Sequence, residues 1–491
     1  MHVVVNSIPG NADGLPMTVT SSEVESDAPI NVLTDAPCAS PEDAPVDGLP
    51  HHGGPPAWRT WMARRRWPII TTAAMLVVGM AYLLFFNTLV HHQPTWATGG
   101  DLWGIFRAAH YIGWGSLGGV YTDGNGVVAL PGMEVLLAPV AMLSGSLGLG
   151  ETYGPFVAAH PGAALLLMPA ELLAASTVVF ACDSLAERLA VVRRHRIWLC
   201  ATVGIVALAA TSIWGHAEDC LAVTFALYAI KAALDDRWTT VGWLMGFGFA
   251  VQPLVALLVP LMVGAAPAVR RLGVVVRAAA LPGALAVIAF LGDAQDAYRA
   301  LVQQPTPPSI NHATPWVALS PVITPSGTVH VHGVRLLPHT SNYVTAVIGG
   351  TAERVAQVAG GPGRLIYIAL AVLVGVVVWR RPQTPARLVW LAGLVLAGRC
   401  FFEPVMTPYY LAPPLFLCLV LAARQSGRRF AAAVILALEV TVFAYHHLNP
   451  WVWWLPVVAS MATILALGYP TPEPSESGRP SEPVALVSPA S

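Results

Sequence analysis

The sequence predicts an all-α polytopic membrane protein, and three observations carry that class: a strongly apolar composition, a succession of long apolar runs, and arginines gathered in the gaps between them. Of 491 residues, 55% are hydrophobic and 11% charged, with a mean hydropathy of +0.61. Soluble domains carry about 25% charged residues, and no soluble fold has an interior large enough to hide this much apolar surface. A formal net charge of −1 and the lack of any basic patch or stripe exclude nucleic acid as a partner. Lys231 stands alone against 25 arginines, which with abundant Ala, Val, Gly and Pro reads as a coding bias rather than chemistry. The cysteines Cys38, Cys182, Cys200, Cys220, Cys400 and Cys418 show no CxxC spacing. They read as small buried hydrophobes rather than a metal site or a disulfide framework.

Taken in order, residues 1–57 are rich in Pro, Asp, Ser and Gly and too poor in apolar groups to offset ordering entropy, so they are expected to form a disordered cytoplasmic tail. Residues 469–491 repeat that composition as a second disordered cytoplasmic tail. The membrane domain is expected over 58–468, with apolar runs at about 68–90, 130–148, 160–183, 197–214, 217–234, 239–263, 273–292, 364–379, 386–401, 408–424, 429–446 and 451–468. A span needs roughly 20 apolar residues, so the runs predict about 10–12 transmembrane or half-inserted helices. The first follows Arg64-Arg65-Arg66 with no cleavage pattern before it and is expected to be an uncleaved helix.

Cytoplasmic loops concentrate arginine, and placing every cluster inside requires two irregular runs. One is 130–148, which contains Pro139 and is expected to be half-inserted. The other is 239–263, expected to enter and leave by one face with a break at Gln252-Pro253, because proline removes a helix donor. Both termini then lie in the cytoplasm. The outward-facing segments are a first outer loop, 91–129, a long outer loop, 293–363, and the turns around Gly215, Glu403 to Pro408, and His446 to Pro450.

Most of the unusual polar residues fall in those outward segments, and ionisable groups at membrane depth mark a site or a partner by default. Asp101 stands in the first outer loop, ahead of Arg107; a solvated carboxylate is the plain alternative. Glu218 and Asp219 open a helix after His216. They read either as amino-terminal caps or as carboxylates holding a divalent cation, magnesium or manganese, that would neutralise phosphate. Arg399, followed by Glu403, Tyr409 and Tyr410 among prolines, reads either as an interfacial anchor or as a bidentate phosphate clamp with neighbouring substrate-binding groups. His312, His330, His332 and His339 match no metal-binding spacing, and a loop of that length suits a cover over substrate.

Asp101, the motif Trp214-Gly215-His216-Ala217-Glu218-Asp219, the run Leu244 to Pro253 and the segment Arg399 to Pro414 together resemble the membrane-embedded GT-C glycosyltransferases. Within them, the likeness is to the polyprenyl-phosphate-mannose- and arabinose-dependent transferases of actinobacteria. The resemblance spans residues 68–468. It implies a GT-C-like bundle in a bacterial plasma membrane that transfers a sugar, mannose before others, from a polyprenyl-phosphate donor to an envelope glycolipid or polysaccharide acceptor. It also implies that Asp101 is the catalytic base and that His216, Glu218, Asp219 and Arg399 bind the donor phosphate. The chain departs from the family at Ala217, where many relatives have proline, at Gln252, where many have lysine, and at Ala129-Leu130-Pro131 in place of Tyr-Pro-Pro. A lipid-linked sugar flippase and a non-catalytic scaffold of the same architecture are the other classes consistent with these features.

Overall fold

The structure is a computed structural model that describes residues 57–83, 100–121, 127, 129–149, 162–308, 311–324, 327–330, 344–346, 351–354, 356–446 and 448–471. At Asp101, Trp103 and within 324–354 it describes the backbone alone. The chain is mostly helical, as its composition predicts. The helices are α1 (Ala57–Arg64), α2 (Arg66–Ala81), α3 (Gly100–Gly113), α4 (Gly132–Ser146), α5 (Ala164–Arg188), α6 (Arg193–Ser212), α7 (Ala217–Leu234), α8 (Trp238–Val251), α9 (Val259–Ala265), α10 (Ala268–Gly292), α11 (Ala294–Tyr298), α12 (Pro362–Arg380), α13 (Pro385–Phe402), α14 (Ala412–Ala422), α15 (Gly427–Phe443) and α16 (Pro450–Leu467). Six of them, α5, α6, α10, α12, α13 and α16, are long and apolar enough to cross a membrane. Shorter apolar helices fill in between.

Local chemistry sets the boundaries. Side-chain oxygens of Thr384, Ser426 and Asn449 accept from free backbone N–H groups at the starts of α13, α15 and α16, and prolines in the first turns of α13 and α16 suit positions whose donor is unused. The break expected in run 239–263 is present. Gln252 leaves the helical region (φ −149°, ψ 122°) because the ring of Pro253 crowds the residue before it. The chain then resumes through a 3-10 turn, Pro253–Leu258, and α9.

Packing follows the apolar pattern. Helix α14 is apolar on all sides, and each of its residues is buried, as expected of a helix surrounded by others. By contrast, only 22% of the most apolar window of α10 and 33% of that of α12 is covered, against 61% for α6, so α10 and α12 offer broad apolar faces that suit lipid. Small residues permit close approach between helices. A Cβ on Gly264 would lie 2.3 Å from the Gly375 carbonyl oxygen, and one on Gly375 would lie 2.6 Å from that of Pro260.

The arginine-bearing turns at the ends of α1, α5, α6, α7 and α14 meet. Asp183 accepts from Arg65 at 2.5 Å and from Arg196 at 2.8 and 2.9 Å. Arg188 reaches Asp235 at 2.6 Å, and His195 Nδ1 contacts the Ala423 carbonyl at 2.7 Å. In the turn after α7, the hydrogen bonds from Lys231 and Arg188 hold the Asp235 carboxyl below its usual range.

Two expectations need correction. Segment 91–129 is not simply a loop: it contains α3, so both Asp101 and Arg107 stand on a helix. Segment 293–363 carries α11 and short antiparallel strands, where paired backbones satisfy each other's N–H and C=O groups. The strand His312–Ala313 from this segment pairs with Val405–Met406 beyond α13, in register His312 to Met406.

Substituting Gly375→Ala places a methyl group against the Pro260 backbone, and overpacking of this kind costs about 1–3 kcal/mol. A lower thermal midpoint in detergent than wild type, with a smaller drop for Gly283→Ala, where the space is open, is the expected outcome.

Candidate functional site

The motif around His216 is formed by an abrupt turn. Gly215 adopts φ +75°, a conformation that favours glycine, and the chain passes from α6 to α7 with Gly215 N–H bonded to Thr211 and His216 N–H to Ala210. Glu218 and Asp219 therefore fall in the first turn of α7. They stand where the helix dipole favours negative charge, and the residue at the cap position, His216, makes no side-chain cap bond. Both Asp219 oxygens and Glu218 Oε2 are buried with no hydrogen-bond partner. His216 Nδ1 bonds Glu218 Oε1 and lies 3.8 Å from Asp219 Oδ2. These three residues bring one ligand atom each to within 4.8 Å of one another, so their donor set could hold a metal ion.

The late Arg/Pro/Tyr segment meets this motif. The His216 ring stacks on Tyr409 with centroids 3.5 Å apart, and Trp214 tilts against the same tyrosine at 6.2 Å. Arg399, in the last turn of α13, lies over the Tyr410 ring at 3.5 Å and 3.6 Å from Glu403. The other Glu403 oxygen accepts from Arg364 at 2.9 Å, and Arg364 also donates to Gln304 at 2.9 Å. The backbone here is tied from outside. Thr314 Oγ1 donates to the Glu403 carbonyl at 2.7 Å, and Trp316 Nε1 to that of Phe401 at 2.9 Å. His312 is buried and stacks on Trp453 at 4.4 Å, which makes it a packing residue. His330, His332 and His339 lie outside the described side chains.

These groups surround one cavity of about 790 Å³, in the upper range of small-molecule sites. His216, Glu218 and Glu134 line one part of it, Arg364, Arg399, Tyr409 and Tyr410 another, and the break at Gln252-Pro253 a third. Apolar positions of α10 (Pro282, Gly283, Ala286) and α12 (Ile368, Ala371, Val372) complete the wall. Asp219 and Glu403 are not among its lining residues. Arg107 is half-buried on α3 and does not line the cavity. The Asp101 side chain lies outside the described residues, but its helix runs beside the cavity, which Ile105 lines.

Sequence reasoning missed Glu134 on α4, Glu171 on α5, Gln304 and Arg364. Both glutamates are buried, and Glu134 Oε2 has no hydrogen-bond partner. A lone carboxylate inside an apolar run is the signal that could have found them. Arg364 stands at the start of an apolar run and reads as an ordinary anchor until the fold sets it against Glu403.

No protein family, characterised protein or solved structure matches the chain.

Glu403→Gln removes the carboxylate that faces two largely covered guanidiniums, 16% and 17% exposed. Leaving such charges without a counter-ion costs about 3–5 kcal/mol, so a large fall in thermal stability is expected, partly restored when Arg364→Gln is added; a wild-type melt would contradict the arrangement.

Proposed function

We propose that this chain is an integral membrane glycosyltransferase that moves a sugar from a polyprenyl-phosphate donor to an acceptor hydroxyl. The observation that carries the reading is the single cavity. Its walls on α10 and on α12 beyond the first turn are largely apolar, while Arg364 at the start of α12 and Arg399 bring guanidiniums to the same space as His216 and Glu218. A ligand with a long lipid tail and an anionic head fits those two demands together. Guanidiniums match phosphate geometry, and Arg399 is already held in place by Glu403 and the Tyr410 ring.

The reaction would then run as follows. A base takes the proton of the acceptor hydroxyl, the oxygen attacks the anomeric carbon, and the bond from that carbon to the phosphate oxygen breaks. The polyprenyl phosphate leaves with the electron pair. Arg399 and Arg364 stabilise the charge that develops on it, the kind of electrostatic contribution that dominates many enzymes. Asp101 is the proposed base. On this reading the transfer takes place on the outer face of a bacterial plasma membrane, with both tails in the cytoplasm, mannose as the first donor sugar to test and an envelope glycolipid or polysaccharide as the acceptor.

The test is sugar transfer from radiolabelled polyprenyl-phosphate-mannose in membranes expressing matched amounts of wild type, Asp101→Asn and Arg399→Gln. Wild-type transfer, lowered about 100-fold or more by Asp101→Asn and accompanied by a raised donor requirement in Arg399→Gln, is expected. Equal activity of Asp101→Asn and wild type removes Asp101 as the base. Lack of transfer from any lipid-linked sugar, together with movement of labelled lipid across sealed vesicles, would make the chain a carrier instead.

A further inference from the structure

We infer that His216, Glu218 and Asp219, with Glu134 beside them, form a binding site for one divalent cation of the Mg²⁺ or Mn²⁺ class. Four acidic side chains from three helices converge here: Glu134 from α4, Glu171 from α5, and Glu218 and Asp219 from α7. Glu134 and Glu171 each interact electrostatically with Glu218, and Glu171 also with His216. All four are buried. Glu134, Glu218 and Asp219 each have at least one oxygen with no hydrogen-bond partner, and for Asp219 both oxygens are in that state, while the backbone N–H of Ala217 reaches Glu171.

Structural carboxylates in a low-dielectric interior are paired or hydrogen-bonded, because an isolated buried charge is very costly. The contrast within this molecule is direct. Glu403 faces two arginines, and Asp183 accepts from two, whereas Asp219 is offset only through space, by the His216 imidazole and by Arg399. An ion with two positive charges resolves the excess.

The donor set suits such an ion. Carboxylates select hard divalent cations, and one imidazole is compatible with manganese. For bonds of about 2.1 Å in an octahedron, ligand atoms lie roughly 3 Å apart when adjacent and about 4.2 Å when opposite. The Nδ1 of His216 and Oδ2 of Asp219 are 3.8 Å apart, between those two spacings, so the side chains would shift slightly to close on an ion. Glu134 and Glu218 both line the cavity, so an ion held here would face the bound molecule and keep open positions for it. This inference concerns binding alone and does not rest on sugar transfer.

The experiment is Mn²⁺ binding to the purified full-length protein in detergent, stripped with EDTA and followed by the loss of free-Mn²⁺ electron paramagnetic resonance signal. One saturable ion per chain is expected, bound about tenfold or more weakly by Asp219→Asn and by Glu218→Gln, and also weakened by Glu134→Gln. The exposed Asp236→Asn should bind like wild type. Elution volume and melting curve establish that each variant is folded, and one folded variant at Asp219 or Glu218 suffices. Absence of saturable binding up to about 1 mM, or binding unchanged in a folded variant at Asp219 or Glu218, overturns the site and means that protons alone neutralise the acids; neither result bears on the transfer assay.

Discussion

The carboxylate of Glu403 between the guanidiniums of Arg364 and Arg399 is the interaction on which the site end of the molecule depends. Two arginines pushed into an apolar bundle are tolerable only with a counter-charge, and Glu403 supplies one to both. In doing so it fixes the start of α12 against the end of α13 and, through Gln304, the segment that follows α11. The bonds from Thr314 and Trp316 to the same backbone then tie the segment around them across it. One negative charge shared by two positive ones also leaves the pair with a net positive charge, which is what an anionic ligand requires.

Across the cavity the balance is reversed. The acids near His216 outnumber the cations close to them, so acidic and basic groups meet within one cavity. The break between α8 and α9 makes room for it. A continuous helix over 239–263 would fill that volume with side chains, whereas the proline at 253 diverts the backbone and opens the wall at Gln252.

Much of this was legible in the sequence, for identifiable reasons. Apolar run lengths gave nearly every helix, because a segment in hydrocarbon must satisfy its own backbone. The proline at 253 predicted the break, since its effect is local. The meeting of His216 with Tyr409 was suggested only by resemblance: nothing in either motif encodes contact with the other. Helix α3 was hidden because its aromatic and glycine-rich sequence reads as a loop. Glu134 and Glu171 were overlooked because single acids in long apolar runs were averaged away, and Arg364 because its role appears only when Glu403 is brought to it from a different helix. The expected histidine-rich cover yielded one described histidine side chain, His312, and its flat stack on Trp453 shows packing.

The poor coverage of α10 and α12 has a kinetic consequence. These helices present apolar faces outward and also contribute the apolar wall of the cavity, so a lipid-tailed ligand can approach sideways without passing through water. Its encounter with the site is then a two-dimensional event, governed by mole fraction within the bilayer and by lateral diffusion. Occupancy measured against bulk concentration would shift whenever the amount of lipid in the assay changed, although nothing about the protein had altered.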